Sequence, residues 1–197
     1  MGKKAKENKD ERESFAAKRA KEKRRNTLIA IGVLAGVAAI VGYSAYNFVN
    51  LGSSAPGAPQ GAGTLGDEHE HASLLVRIFG DKFDFSGPTY QIKSSWIHFE
   101  GQDGNTIHRH ASGVTLGYLF DTLRISLTDQ CFVFPDGKEF CTNDKYSIKF
   151  YINHNQVPDI RSYVLQEDDR ILISYGSETP EQIEAQLVEL DSQLTLK

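Results

Sequence analysis

Two pairs of histidines are the residues of this chain whose type and spacing could do chemistry. They are His69-x-His71, in "HEHASLLV", and His108-x-His110, in "GNTIHRHASG". Residues i and i+2 of a β-strand project to the same side, so each pair would aim two imidazoles at one region if the strands lie together. Imidazole nitrogens are ligands for Zn, Cu(II), Ni and Fe. The pattern predicts a metal site, and histidines on a solvated sheet face are the simpler alternative.

A third segment, "WIHFEG", has ligand-type residues at the same spacing. On a strand, His98 and Glu100 would lie on one side, and Ile97 and Phe99 on the other. We predict His98 and Glu100 as additional ligands or as groups that orient the ligands. The predicted metal-site residues are therefore His69, His71, His98, Glu100, His108 and His110.

The chemistry of such a site depends on how many of these groups coordinate. Four imidazoles would close a tetrahedral Zn site, whereas three would leave a position for water or substrate. Two histidines with Glu100 would instead resemble the facial triad of non-haem iron enzymes. Soft ligands for Cu(I) are scarce, because Met1 is the only methionine and the two cysteines are expected to pair. We expect Zn or Cu, and a metal-free pH switch is a further alternative.

Cys131 and Cys141 flank the segment "FVFPDGKEF". Pro135 and Asp136 suit a type I turn, and Gly137 suits the left-handed position that follows it. Counting outward from this turn places Cys131 opposite Cys141 at a non-hydrogen-bonded pair, where side chains are close. We predict a disulfide, which should contribute about 2 to 3 kcal/mol. A redox pair or thiol metal site is the alternative, but the CxxC spacing is missing.

The N-terminal part of the chain predicts one membrane-spanning helix at residues 27–50. Leu28 to Val49 is apolar almost throughout, and at ~1.5 Å per residue it would reach roughly 33 Å, enough to cross a hydrocarbon core of about 30 Å. A signal peptide is the competing interpretation, but its apolar region would be shorter, at about 7 to 15 residues. Gly32 and Gly36 form a GxxxG pair that could pack against another helix.

Charge sets the expected orientation in the cell membrane. The basic tail, residues 1–26, contains eleven of the 22 Lys and Arg residues and five of the 26 acidic residues. The positive-inside rule places this tail in the cytoplasm and residues 50–197 outside it. The rest of the chain has a net charge of about −10, which attracts cations and repels nucleic acid. The expected partners are the membrane and a possible membrane protein complex, with no nucleic acid.

The remainder divides into a linker and a folded domain. Residues 51–66 are rich in Gly, Ala, Pro and Ser and predict a flexible linker. Residues 67–177 mainly alternate between apolar and polar, as strands with one buried face do. Leu116, Leu119, Phe120 and Leu123 have helical spacing instead.

Residues 178–197 predict a C-terminal amphipathic helix. Thr179 and Gln182 fit a capping box, and Pro180 suits the first helical position. The apolar stripe of this helix is Ile183, Leu187, Leu190 and Leu194. Strands, one short helix and further strands predict an α+β domain with a mostly antiparallel or mixed sheet.

The last strands resemble a known fold family. Residues 148–176, "IKFYINHNQVPDIRSYVLQEDDRILISYG", resemble the closing strands of β-grasp domains. The resemblance implies a β-grasp-like sheet. It does not imply the sulfur-carrier function of that fold, because those carriers end in Gly-Gly and this chain continues.

A second resemblance covers residues 67–177. The segments "HEHASLLV", "IHFEGQDGNTIHRHASGVTLGYLF" and "DDRILISYG", with the paired cysteines, resemble a family of uncharacterised, membrane-anchored extracytoplasmic proteins of ammonia-oxidising archaea and some bacteria. The resemblance implies that the six predicted metal-site residues belong to the family pattern. It implies no activity.

Three functions are compatible with these features. The first is a membrane-tethered extracytoplasmic module that holds Zn or Cu for storage, delivery or structure. The second is an accessory or assembly subunit of a membrane protein complex, in which the histidines are structural. The third is a metal-dependent enzyme, which is the weakest, because the sequence has no nucleophile elbow, phosphate loop or cofactor fingerprint.

Overall fold

The computed structural model describes residues 2–50 and 57–196. The chain divides into two compact units, Met1–Leu51 and Gly52–Lys197. The first is one long helix, α1 (Gly2–Asn50). Its segment Ala17–Tyr46 is long and apolar enough to cross a membrane, although a signal sequence near an N-terminus has the same features.

The second unit is an α+β domain of ten strands and two helices. Its elements, in chain order, are β1 (Glu70–Ile78), β2 (Asp81–Lys82), β3 (Ile97–His98), β4 (Thr106–Arg109), α2 (Leu116–Thr122), β5 (Ser126–Leu127), β6 (Cys131–Val133), β7 (Glu139–Cys141), β8 (Ser147–Ile152), β9 (Asn155–Val157), β10 (Asp169–Gly176) and α3 (Pro180–Ser192).

The main sheet is mixed, as the sequence predicts. Its strand order is β3-β4-β1-β10-β8-β9, and β2 pairs with β1. The two central strands, β1 and β10, are parallel, whereas every other pair in this sheet is antiparallel. Two parallel strands need a long connection between them. Here the chain between β1 and β10 contains the second sheet, β5-β6-β7, and the antiparallel strands on both sides of the central pair, β3-β4 and β8-β9.

One face of the main sheet packs on the principal core. Alternate residues of β1, Ala72, Leu74 and Val76, are buried there. The short helix α2 adds Leu116, Leu119 and Phe120 to the same core, and its N-cap is Thr115, whose side chain accepts a hydrogen bond from the Tyr118 amide. The predicted short helix is confirmed.

The opposite face of the sheet is covered by α3. The predicted capping box is present, because the Thr179 side chain caps the Gln182 amide and the Gln182 side chain caps the Thr179 amide. Ile183, Leu187 and Leu190 pack on Leu75 and Leu172 of the two central strands. The sequence predicts strands with one buried face. The central strands β1 and β10 are instead buried on both faces, because α3 covers the second face.

The predicted apolar stripe of the C-terminal helix is one residue too long. The helix ends at Ser192, and Leu194 is 82% exposed. The chain leaves the helix at Gln193 in an extended conformation and turns along the sheet, where the Leu196 amide donates to Thr106 Oγ1. Since the buried part of the stripe is used within the domain, it is not a free surface for a partner.

We expect Leu190→Ala to lower the free energy of unfolding by about 2 to 5 kcal/mol, because Leu190 is fully buried and truncation leaves a cavity. Leu194→Ala is the matched control, with an expected change within about 0.5 kcal/mol at this exposed position. Urea unfolding of the full chain would measure both. Equal effects of the two substitutions would contradict the docking of α3 on the sheet.

The packed part of the domain begins before residue 67. Ala62 is 3% exposed within the principal core, and the Gly63 amide donates to the Ser112 carbonyl. Gly113 has a positive φ of 70°, and a Cβ there would lie 2.3 Å from the Gly61 carbonyl oxygen. Residues 57–66 of the predicted linker therefore pack on the domain. The other predicted linker residues, 51–56, lie outside the described residues.

The predicted disulfide between Cys131 and Cys141 is present. The two residues are directly opposite in the β6–β7 pair, and the hairpin closes with the Phe134 amide donating to the Lys138 carbonyl. The Cα atoms are 4.1 Å apart, as befits a non-hydrogen-bonded pair of antiparallel strands, for which about 4.5 Å is usual. Local turn chemistry was sufficient to predict this feature.

Candidate metal centre

Strand pairing brings the three histidine segments together. His71 on β1 is directly opposite His108 on β4, and His108 is directly opposite His98 on β3. These side chains lie on the face of the sheet that α3 covers further along β1, at Leu75. Between the two regions, Ser73 Oγ lies 3.0 Å from Thr195 Oγ1, so the segment after α3 borders the histidines.

Three of the imidazoles can hold one metal ion. Ligand atoms of His69, His71 and His108 all lie within 4.8 Å of one another. An ion bound at about 2.0 to 2.1 Å from each nitrogen would place tetrahedral ligands roughly 3.4 Å apart. On binding, the ligand atoms would therefore move closer together by about 1 Å. The structure therefore supports the predicted use of histidines from both pairs.

The other predicted ligands adjoin these three. The ring of His110 lies 4.5 Å from the ring of His69 and 4.8 Å from that of His98, measured between centroids. Glu100 Oε2 lies 3.3 Å from His98 Nε2, and Glu100 Oε1 lies 3.6 Å from His108 Nδ1. All six predicted residues thus belong to one cluster, which we call the histidine cluster.

Burial argues against a solvated sheet face. His71, His98 and His108 are 7%, 7% and 5% exposed, His110 and Glu100 are partly exposed, and His69 is exposed. Within residues 57–196, three buried ring nitrogens of the cluster have no hydrogen-bond partner: His71 Nε2, His108 Nδ1 and His110 Nε2. Buried polar atoms normally have a partner. These nitrogens are free to offer lone pairs to a cation.

Glu167 orients His71. Its Oε2 accepts a hydrogen bond from the His71 amide at 2.7 Å and lies 3.2 Å from His71 Nδ1. A carboxylate at Nδ1 favours the tautomer with its proton there, which leaves Nε2 as the ligand atom facing the cluster. Glu167 was not predicted from the sequence. A prediction that β1 and β10 are parallel would have indicated Glu167. This residue lies just before β10, at the end of the strand pair where β1 begins with Glu70 and His71.

Arg109 joins the two histidine pairs from the core side. It is only 1% exposed, and its guanidinium donates to Glu68 and to the carbonyls of Ala111 and Leu165. Asp67 provides a second link, because its carboxylate accepts from the amide and hydroxyl of Ser112, each at 2.8 Å. Arg109 was likewise not predicted from the sequence, although the alternation of "IHRH" places it on the same side as Ile107.

The electrostatics of the cluster favour the neutral forms of His108 and His110. Burial, followed by repulsion from His98, His69 and His108, lowers the pKa of His110 from 6.5 to about 4. Burial also lowers the pKa of His108, against the opposing attraction of Glu100. Burial acts to raise the pKa of Glu100, but its contact with His98 and the neighbouring imidazoles outweigh burial and lower the pKa. Neutral histidines and an ionised carboxylate are the forms that bind metals.

These shifts predict that the metal-free protein loses stability in mild acid. The folded-state pKa of His110 lies below its unfolded value, so the unfolded chain takes up the proton first. Its contribution is fully present above about pH 6.5 and is lost as the pH falls toward about 4. Urea unfolding in the presence of a chelator at pH 7 and pH 5 should show this loss. Both pH values lie above about 4, where carboxylates titrate.

The matched variant for this measurement is His110→Gln, which removes the titrating group. The fall in unfolding free energy between these pH values should be smaller in His110→Gln than in the parent. An identical fall in both proteins would contradict the assignment to His110.

The sixth histidine, His154, does not belong to the cluster. His154 Nε2 lies 2.9 Å from Asp191 Oδ2, and this partly exposed pair ties the β8–β9 turn to α3. Gly32 and Gly36 lie on α1 with nothing within 4 Å of an added Cβ. The use of these glycines in helix packing stays a prediction.

The membership of the six residues in a wider family pattern rests on the motifs alone and stays a prediction. Comparisons of the chain with protein-family models, with curated proteins and with solved structures found no match.

Proposed function

We propose that this chain is a membrane-tethered, extracytoplasmic module that holds Zn or Cu in its histidine cluster, for storage, delivery or structure. The observation that carries the proposal is the convergence of His69, His71 and His108 within 4.8 Å, with buried ring nitrogens that have no partner in the described part of the domain. Desolvated, correctly oriented imidazoles are the arrangement that borderline divalent metals require.

The donor set supports Zn or Cu over harder or softer ions. The cluster offers imidazoles and one carboxylate, whereas Mg and Ca prefer all-oxygen sites. The two cysteines are joined in the β6–β7 hairpin and offer no thiolate. In the proposed centre, three imidazoles bind the ion and leave a fourth position that a water molecule can fill.

The membrane tether is part of the proposal. Large apolar side chains of α1, such as Leu34 and Ile40, are exposed along the segment Ala17–Tyr46, as a lipid-facing helix requires. The basic residues precede this segment, which supports a cytoplasmic N-terminus and a domain outside. An oxidising compartment would also favour the disulfide.

We propose in addition that the domain is β-grasp-like. Three features support this relation. The central strands β1 and β10 are parallel, antiparallel strands flank them on each side, and α2 lies between β1 and β10 in the chain. The relation concerns architecture alone, and the function is argued from the histidine cluster.

A metal titration of the full chain in detergent tests the function. After chelator treatment and desalting, the protein is incubated with Zn or Cu(II), desalted again and analysed for bound metal. At least one equivalent should remain at pH 7.5, and it should be released as the pH falls and protons compete for the imidazoles. Less than about a tenth of an equivalent with either metal would contradict the proposal.

Glu167→Gln should weaken metal binding about 10- to 100-fold, because the amide no longer holds the His71 ring and its tautomer as the carboxylate does. The competing chelator concentration at half-release measures the affinity. Glu184→Gln on the exposed side of α3 is the matched control and should change nothing. An unchanged affinity in Glu167→Gln would show that its contact with His71 does not orient a ligand.

A further inference from the structure

Glu100 stands between two separate parts of the histidine cluster. Its Oε1 faces Nδ1 of His108, one of the three imidazoles already assigned to an ion, at 3.6 Å. Its Oε2 faces Nε2 of His98, which is not among those three, at 3.3 Å. A carboxylate with one oxygen toward each of two imidazole groups has the geometry of a bridging ligand.

The tautomer of His98 shows what the second oxygen faces. His98 Nδ1 lies 2.7 Å from the Ser94 carbonyl oxygen, which can only accept, so the proton of a neutral ring is on Nδ1. Nε2 then points a lone pair at the Glu100 carboxylate, and two acceptors face each other across 3.3 Å. His98 is 7% exposed, so water screens this contact poorly. A cation between the two groups would turn the repulsion into coordination.

His110 completes this second group. Its Nε2 is buried without a hydrogen-bond partner in the described domain. Its ring lies 4.8 Å from that of His98, with 28° between the planes, so the two imidazoles are close neighbours. His98, Glu100 and His110 therefore offer two imidazoles and a carboxylate beside the three imidazoles of the first position.

We propose that the histidine cluster binds two divalent transition-metal ions, the second held by His98, Glu100 and His110, with Glu100 bridging to the first. This inference rests on the proposed function, since it adds a neighbour to the ion held by His69, His71 and His108. Paired ions in proteins lie about 3.5 to 4 Å apart, a separation that one carboxylate spans. The negative charge of Glu100 offsets part of the repulsion between the two cations.

Stoichiometry is the first test. The full chain, stripped of metal in detergent, is titrated with Zn against a competing chelator, and retained metal is measured after desalting. The parent should retain two equivalents, and Glu100→Gln and His98→Gln should each retain one. His154→Gln, which alters an imidazole outside the cluster, should retain two. Circular dichroism of each variant confirms that it is folded.

Cu(II) gives an independent readout by electron paramagnetic resonance. Two Cu(II) ions about 3.5 to 4 Å apart couple magnetically, so the doubly loaded parent should give a broadened signal that integrates to well under two spins per chain. Glu100→Gln loaded to its limit should give a narrower signal of about one spin per bound ion, because the bridge and the second ion are gone.

The outcomes separate this inference from the function beneath it. One equivalent in the parent would overturn the second position and leave the first intact. Two equivalents in the parent, Glu100→Gln and His98→Gln alike would overturn the assignment of these residues. No retained metal would overturn both proposals.

Discussion

Replacing His71 with glutamine should weaken binding of the first metal ion by at least about 100-fold. This is more than the effect expected of Glu167→Gln, which removes only a group that orients His71. His71 is central to the cluster, since its ring centroid lies 4.6 Å from that of His69 and 4.9 Å from that of His108. Its Nε2 is buried and has no partner among residues 57–196. Chelator competition with Zn, and with Cu(II) separately, would measure the change.

Glutamine at position 71 keeps the backbone bond to Glu167 and much of the side-chain volume, so the effect should be on binding rather than folding. His154→Gln is the matched control, because it makes the same substitution at a histidine paired with Asp191 outside the cluster. If His71→Gln retained the parent affinity within a factor of about three, the assignment of His71 as a ligand would be wrong.

Arg109→Met should produce the largest loss of stability, about 3 kcal/mol or more. Methionine fills part of the same space but donates no hydrogen bond, so the buried carbonyls of Leu165 and Ala111 lose their partner. The Glu68 contact is lost too, although that carboxylate is partly exposed and can be hydrated. Urea unfolding of the metal-free chain would measure the change.

The same substitution should also weaken metal binding, because Arg109 fixes the ends of both histidine pairs through Glu68 and Ala111. Arg124→Met, at an exposed residue that follows α2, is the matched control and should stay within about 0.5 kcal/mol of the parent. A loss no larger than that of the control would show that the buried guanidinium does not hold the two segments together.

Local chemistry explains what the sequence could predict. The disulfide hairpin, the Thr115 cap and the Thr179 capping box depend on residues within a few positions of one another. The two histidine pairs were predicted for the same reason, since period two alone puts the members of each pair on one side of a strand.

The features that were missed depend on contacts between distant segments. Parallel pairing of β1 with β10 places Glu167 against His71, 96 residues earlier in the chain, and no local pattern signals that partner. Arg109 was passed over because arginine is usually exposed. Strand alternation places it on the core face of the sheet, because His108 and His110 on either side of it lie on the opposite face. Residues 57–66 have a linker composition, yet hydrogen bonds to Ser112 and His110 hold them on the domain.

The division of the sheet face explains how one small domain can have both a core and a polar cluster. Along β1, Leu75 lies under α3, Ser73 bonds to the segment after it, and His71 enters the histidine cluster. Arg170 reinforces the middle region, because it donates to Ser73 and to the carbonyls of Leu190 and Gln193. The residues that follow α3 thus separate the apolar packing from the candidate metal centre.

Elemental analysis of the chain isolated from its native cells tests the central claim most directly. Purified without added metal or chelator, the protein should contain Zn or Cu at about one equivalent or more per chain, and His71→Gln expressed in the same cells should contain far less. Equal and negligible Zn and Cu in both proteins would contradict a metal-holding function of the histidine cluster.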